Sequence, residues 1–280
     1  MSFLDSIVLG VIEGITEFLP ISSTGHLILA GHILGLDSTD FVKSFEITIQ
    51  LGAILAVVVL FWRRLFLSKK VFLLVSAAFI PTAIIGFILY KIIKNVLLGS
   101  NVVVLSALAI GGFILIVFEM WVERRRENNL KYALRNSIGI RVPRFNIEQK
   151  DPIVRIEDMG YGRAIGVGLF QALAVIPGVS RSAATIVGGI LLRMSRVAIV
   201  EFSFLLAVPT MLAATGYDLL KSGASFSGNE FSVLFVGFVV SFVVAFGAVK
   251  WLIGFIKNHS FIGFGVYRIV LAIVFALFLL

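Results

Sequence analysis

The sequence predicts an all-α polytopic membrane protein. It is expected to be an inverted-topology repeat, each half a re-entrant helix hairpin plus three transmembrane helices. Three observations lead there. Hydrophobic residues make up 59% of the 280 positions and charged residues only 14%, with mean hydropathy +1.05, whereas a soluble domain carries about 25% charged residues. Six apolar stretches approach the ~20 residues needed to cross the hydrocarbon. A polar, proline-kinked segment also occurs twice, in matching places of the two halves.

The first repeat covers residues 1–121 and opens with a hairpin at 3–36. Its kink reads Glu13-Gly-Ile-Thr-Glu17-Phe-Leu-Pro20-Ile-Ser22-Ser23-Thr24-Gly25-His26. Spans follow at 45–62, 71–91 and 101–120. Residues 122–159 are rich in both signs of charge and are expected to form a cytoplasmic loop, with room for a short amphipathic helix. The second repeat, 160–280, opens with a hairpin at 160–194 whose kink reads Gln171-Ala-Leu-Ala-Val-Ile-Pro177-Gly178-Val-Ser180-Arg181-Ser182-Ala-Ala-Thr185. Its spans are expected at 197–218, 231–253 and 260–280. Phe45-Glu46-Ile-Thr and Val200-Glu201-Phe-Ser open the first long span of each half in the same way. Three spans per half is an odd number, so the halves would lie in opposite orientation.

Loop charge orients this scheme. Arg63, Arg64, Lys69, Lys70, Arg124, Arg125, Arg126, Arg163, Arg193, Arg196 and Lys257 fall on one face, against Lys91, Lys94 and Lys221 on the other. Lys and Arg mark the cytoplasmic side, which places both termini outside. The net charge of +8 is then accounted for by the loops, and no nucleic-acid partner is expected. Cysteine is absent, so thiol chemistry is excluded, and three scattered histidines argue against a His-rich zinc site. Asp5 and the lack of a basic leading stretch argue against a cleaved signal peptide.

Polar side chains inside a membrane are costly and mark function. Glu13 and Glu17 share a helix face one turn apart, and their repulsion calls for a cation between them, either a divalent metal or an arginine. Ser22, Ser23 and Thr24 exceed what helix capping needs. His26 beside them can position a nucleophile, act as one, or protonate a leaving oxygen. Arg181 offers a planar fork of donors to phosphate oxygens. Ser180, Ser182 and Thr185 add neutral donors. Arg268 lies too deep in the last span to snorkel, so it is expected to meet Glu46, Glu201 or a substrate phosphate. Together these groups suit phosphoryl transfer from an amphiphilic phosphate ester. The rival is a lipid-carrier flippase or transporter, because broken helices in inverted repeats also build transport sites.

The Glu13-x-x-x-Glu17, Ser22-Ser23-Thr24-Gly25-His26 and Pro177-to-Thr185 motifs resemble those of the bacterial undecaprenyl-diphosphate phosphatases, the bacitracin resistance protein family. The likeness runs over nearly the whole chain and includes Phe45 to Gln50 and the pair Tyr267-Arg268. It implies an enzyme of the bacterial inner membrane that removes the terminal phosphate of undecaprenyl diphosphate, recycling the lipid carrier for peptidoglycan and other envelope polymers. It also implies a divalent cation, Mg2+ or Ca2+, on Glu13 and Glu17. By position Ser23 is the nucleophile candidate, with His26 its acid–base partner or its rival. Arg181 joins them as a catalytic candidate, with Ser180 and Thr185 beside it on the diphosphate, and Ser22, Thr24, Ser182 and Arg268 complete the expected substrate-binding set. The polyprenyl tail is expected among the apolar spans and surrounding lipids, and a homodimer is the expected oligomer.

Overall fold

A computed structural model describes residues 1–37, 39–92, 100–137, 152–222 and 227–279. Among these the chain is all-helical, apart from an isolated parallel bridge between Ile153 and Met194. The helices are α1 (Phe3–Thr16), α2 (Ser23–Ile33), α3 (Asp40–Trp62), α4 (Lys69–Ile92), α5 (Asn101–Ser137), α6 (Tyr161–Ala172), α7 (Arg181–Leu191), α8 (Arg196–Ser222), α9 (Gly228–Phe255) and α10 (Ile262–Leu279). A π-helical turn, Arg63–Leu67, follows α3, and 3-10 turns lie at Ile156–Asp158 and Leu173–Val175.

Among the described residues five helices are long and apolar enough to cross a membrane: α3, α4, α5, α8 and α9. The sixth expected span, 260–280, corresponds to α10, an apolar helix shorter than the other five. The polar stretch after residue 121 is helical further than expected, because α5 continues as one helix to Ser137. Residues 138–151 of that stretch, and Lys94 of the less basic face, lie outside the described residues.

The two kinked segments form hairpins. Helices α1 and α2 hold 14 and 11 residues, α6 and α7 hold 12 and 11. At ~1.5 Å per residue none reaches the ~30 Å of a hydrocarbon core. Helix α1 starts at a capping box, Ser2 Oγ accepting from Asp5 N–H while the Asp5 carboxylate accepts from Ser2 N–H. Pro20 and Pro177 fall in the turns between the paired helices, where a missing N–H costs no helical bond.

Packing places these hairpins inside the bundle. Helix α9 lies along α1 and α3, α10 along α5, and α4 along α6. Helix α1 reaches α9 through Gly10 and Gly14, four residues apart, which face Gly237 and Ser241. A Cβ on Gly14 would sit 2.8 Å from Ser241 O. Small residues at this spacing let helix backbones approach where lipid offers no hydrophobic driving force. Ser6 Oγ donates to Val233 O and Ser241 Oγ to Ile49 O, both at 2.7 Å. The main core gathers Phe18, Phe202, Phe204 and Phe261 with aliphatic residues of α3, α4 and α8. Phe18 meets Phe204 edge-on at 5.3 Å, directly behind the first turn.

Candidate functional site

The two turns meet in the interior. Ser182 Oγ donates to Leu19 O at 2.8 Å, and Ser180 Oγ reaches the same carbonyl at 3.4 Å. Helix α7 begins immediately after the second turn, with Ser180 as its cap accepting from Ala183 N–H. The first turn ends differently. Ser22 adopts φ 72°, a left-handed conformation that non-glycine residues rarely take, and its side chain caps nothing. Such strain persists only where its surroundings hold it. Gly178, at φ 91°, is the matching special position in the second turn, where a Cβ would lie 2.6 Å from Val104 O.

A continuous polar chain crosses between the hairpins. Ser23 Oγ donates to Glu17 Oε2 at 2.6 Å. Glu17 Oε1 accepts from Arg181 Nη2 at 2.9 Å, an ion pair almost wholly withdrawn from solvent. Arg181 Nη1 donates to Ser203 O at 3.0 Å and to Ser203 Oγ at 3.3 Å. Ser203 Oγ lies 2.6 Å from Thr185 Oγ1, whose own proton faces the carbonyls of Arg181 and Ser182. Arg181 Nε is buried without a hydrogen-bond partner among the described residues.

Glu13 sits one helical turn behind Glu17 and is fully buried. Neither of its carboxylate oxygens has a hydrogen-bond partner among the described residues. Glu17, Glu46 and Arg181 are the charged groups around it. An orphaned buried carboxylate is expensive. No group of three or more His, Cys, Asp or Glu able to hold a metal occurs among the described residues. Two carboxylates are nevertheless what a hard cation such as Mg2+ uses when water and substrate phosphates complete its shell. The free oxygens of Glu13 beside Glu17 fit that description.

His26 belongs to a separate arm. Its Nδ1 lies 2.8 Å from Ser22 O and its Nε2 lies 2.7 Å from Tyr267 Oη. A carbonyl can only accept, so Nδ1 carries a proton, and in the neutral ring Nε2 accepts from the Tyr267 hydroxyl. The two rings stack in parallel at 5.5 Å. His26 therefore has no direct bond to Ser23, whose hydrogen bond goes to Glu17. Thr24 points outward and is exposed, away from the other hydroxyls.

Arg268 is buried and meets no carboxylate among the described residues. It donates to four backbone carbonyls: Leu108 O from Nε, Pro20 O from Nη1, and Ala107 O and Gly178 O from Nη2. Of the carboxylates expected to pair with it, Glu201 binds Arg64 instead, and Glu46 is half-buried on α3. Two of these carbonyls, Pro20 O and Gly178 O, lie in the kinked turns, where helical partners are missing, and the other two, Ala107 O and Leu108 O, lie within α5.

Three participants escaped the sequence reading as site residues: Ser203, Tyr267 and the carbonyl of Leu19. Ser203 stands two residues after Glu201 and Tyr267 directly precedes Arg268, so their positions were visible. Their partners lie 18 and 241 residues away, which no local pattern reveals.

The family model described as Bacitracin resistance protein BacA matches residues 6–274. Curated proteins named undecaprenyl-diphosphatase are similar over the full length. The protein of Aquifex aeolicus (strain VF5) is 49% identical over 280 residues, covering 100% of both chains. That of Sulfurihydrogenibium sp. (strain YO3AOP1) is 46% identical over 99% of each chain. That of Thermus thermophilus is 43% identical over 100% of this chain and 98% of its own.

Proposed function

This chain belongs to the bacitracin resistance protein BacA family, and from that membership we propose that it hydrolyses undecaprenyl diphosphate to undecaprenyl phosphate and inorganic phosphate. It is a multi-pass membrane enzyme, an undecaprenyl-diphosphatase. The observation that carries the chemistry is the buried chain Ser23–Glu17–Arg181, which joins an oxygen nucleophile to a base and the base to a guanidinium.

Ser23 is the nucleophile in this reading. Its proton already points at Glu17 Oε2, 2.6 Å away, so Glu17 takes it as Oγ attacks the terminal phosphorus. A Ser–O–P bond forms, the bridging P–O bond breaks, and undecaprenyl phosphate leaves as an anion that needs no proton. Water then attacks the phosphorus, the Ser23 Oγ–P bond breaks, Glu17 returns its proton to Ser23 Oγ, and the water's own protons leave with the inorganic phosphate. His26 is less suited to attack, because its Nε2 lone pair is engaged by Tyr267. Arg181 Nε, without a partner among the described residues, is a donor available to a phosphate oxygen. Ser22, Ser180, Ser182 and Thr185 lie around the same turns, and the last three would have to release their present carbonyl partners to donate to a phosphate. A divalent cation, Mg2+ or Ca2+, held by Glu13 and Glu17 would neutralise charge on the diphosphate.

The membrane arrangement proposed is the inverted repeat in the bacterial inner membrane, with both termini outside. Its support is the pair of hairpins with legs too short to span, each leading into a long apolar helix, α3 or α8. Aligned turns at a shared interior site are what repeat-built membrane proteins place between their halves.

Detergent-purified protein should release phosphate from undecaprenyl diphosphate when Mg2+ or Ca2+ is supplied, and chelator should stop it. No release from folded protein under any of these conditions would reject the phosphatase reading. Flipping of the lipid carrier in vesicles would then be the activity to assay.

A further inference from the structure

We infer that Arg268 is a positioning residue, a strut from α10 that holds the two hairpin turns at a set separation, and not a ligand of the diphosphate. This rests on the phosphatase reading above and names a further part of that same site.

Four of the five guanidinium N–H groups are spent on backbone carbonyls. Nη1 reaches Pro20 O at 3.4 Å in the first turn, and Nη2 reaches Gly178 O at 3.0 Å in the second. Those turns carry the opposite ends of the working chain. Glu17 and Ser23 flank Pro20, and Arg181 follows Gly178. The other two bonds, to Ala107 O and Leu108 O, anchor the guanidinium to α5. One side chain from outside both hairpins thus ties both tips to a spanning helix.

The neighbourhood is shaped by glycines that make way for this side chain. The guanidinium lies against the Cα of Gly111, where any Cβ would collide with Nη2. At Gly112 a Cβ would meet Gly265 O at 2.7 Å, so α5 and α10 are in near backbone contact beside the strut. Arg268 is also 1% exposed, the largest wholly enclosed side chain among the described residues. A planar fork can address four carbonyls at once, whereas an ammonium on a flexible stem cannot reproduce that geometry. Misplacing reacting groups by about 1 Å costs roughly 100-fold in rate. A strut of this kind therefore acts on turnover through the spacing of Ser23, Glu17 and Arg181.

The test compares Arg268→Lys, Arg268→Gln and Gly111→Ala with the wild type, all purified in detergent and checked for folding by gel filtration. Each is assayed for phosphate release from undecaprenyl diphosphate over a range of substrate concentrations. Both Arg268 variants should lose roughly 100-fold in kcat, with KM within about threefold of wild type. Arg268→Lys should be no better than Arg268→Gln, because charge without the fork does not hold both turns. Gly111→Ala keeps the guanidinium but displaces it, and should lower kcat about tenfold, again with KM little changed. If neither Arg268 variant is recovered folded, the kcat and KM of Gly111→Ala decide the matter by the same split. Near-normal turnover in Arg268→Lys, or a large rise in KM with kcat preserved, would overturn the proposal, the second result making Arg268 a substrate ligand. Inactive wild-type protein would instead sink the phosphatase reading on which it stands.

Discussion

Replacing Glu17 by Gln should cost the protein both stability and turnover, by separable amounts. The carboxylate makes two charge-assisted contacts, 2.6 Å to Ser23 Oγ and 2.9 Å to Arg181 Nη2, in an almost fully buried setting. An amide has one accepting oxygen, so Glu17→Gln must present its NH2 either to Arg181 or to Ser23. The buried guanidinium is left without its counter-charge, and breaking one partner from a buried pair costs about 3–5 kcal/mol. The base for Ser23 is lost as well, which removes roughly 10²–10⁴-fold in rate, equivalent to about 3–5 kcal/mol of transition-state stabilisation. Thermal unfolding in detergent and phosphate release read the two losses independently. The double variant Glu17→Gln, Arg181→Gln separates them. Removing the orphaned charge should recover much of the stability, because neighbours in one ion pair are not additive, while activity stays lost. A Glu17→Gln enzyme within about threefold of wild-type kcat/KM would refute the role given to the Ser23–Glu17 bond.

Ser23→Ala should abolish any phosphate attached to protein after a neutral detergent quench of labelled substrate, whereas His26→Gln should retain it; a phosphorylated Ser23→Ala protein whose label is lost in acid would transfer the nucleophile's role to His26. Tyr267→Phe deletes the one donor to His26 Nε2, a bond worth about 1 kcal/mol, so kcat should fall roughly fivefold, and an unchanged pH–rate profile would mean His26 is not titrating in turnover. Gly14→Val places a Cβ 2.8 Å from Ser241 O; it should destabilise the bundle by about 1–3 kcal/mol, read as a lowered Tm, and an unchanged Tm would mean the α1–α9 seam is slack.

Much of the architecture was legible because membrane helices announce themselves one at a time. Each of the five long helices is a continuous apolar stretch, and hydropathy needs no knowledge of neighbours. The hairpins were legible through Pro20 and Pro177, which break helices locally. Helix ends were less so. Helix α5 runs on to Ser137 because nothing in Val122 to Ser137 is Pro or Gly, and charge by itself does not stop a helix that has left the apolar layer.

The motifs marked Glu13, Glu17, Ser23, His26 and Arg181 as a site, but not its wiring. Spacing put Glu13 and Glu17 on one face and left open whether a metal or an arginine lies between them. The structure pairs Arg181 with Glu17 and leaves both oxygens of Glu13 free among the described residues. Likewise His26, three residues from Ser23, is the natural suspect for its base, yet the short bond runs from Ser23 to Glu17.

The membrane environment, the helical class, the two kinked turns and the family can all be read along the chain, because each depends on local composition or on contiguous motifs. Which donor meets which acceptor follows from the packing of helices distant in sequence. Glu17 and Arg181 are 164 residues apart, and Arg268 lies 248 from Pro20. Most buried polar groups find a partner, and which partner each finds depends on how the helices are packed.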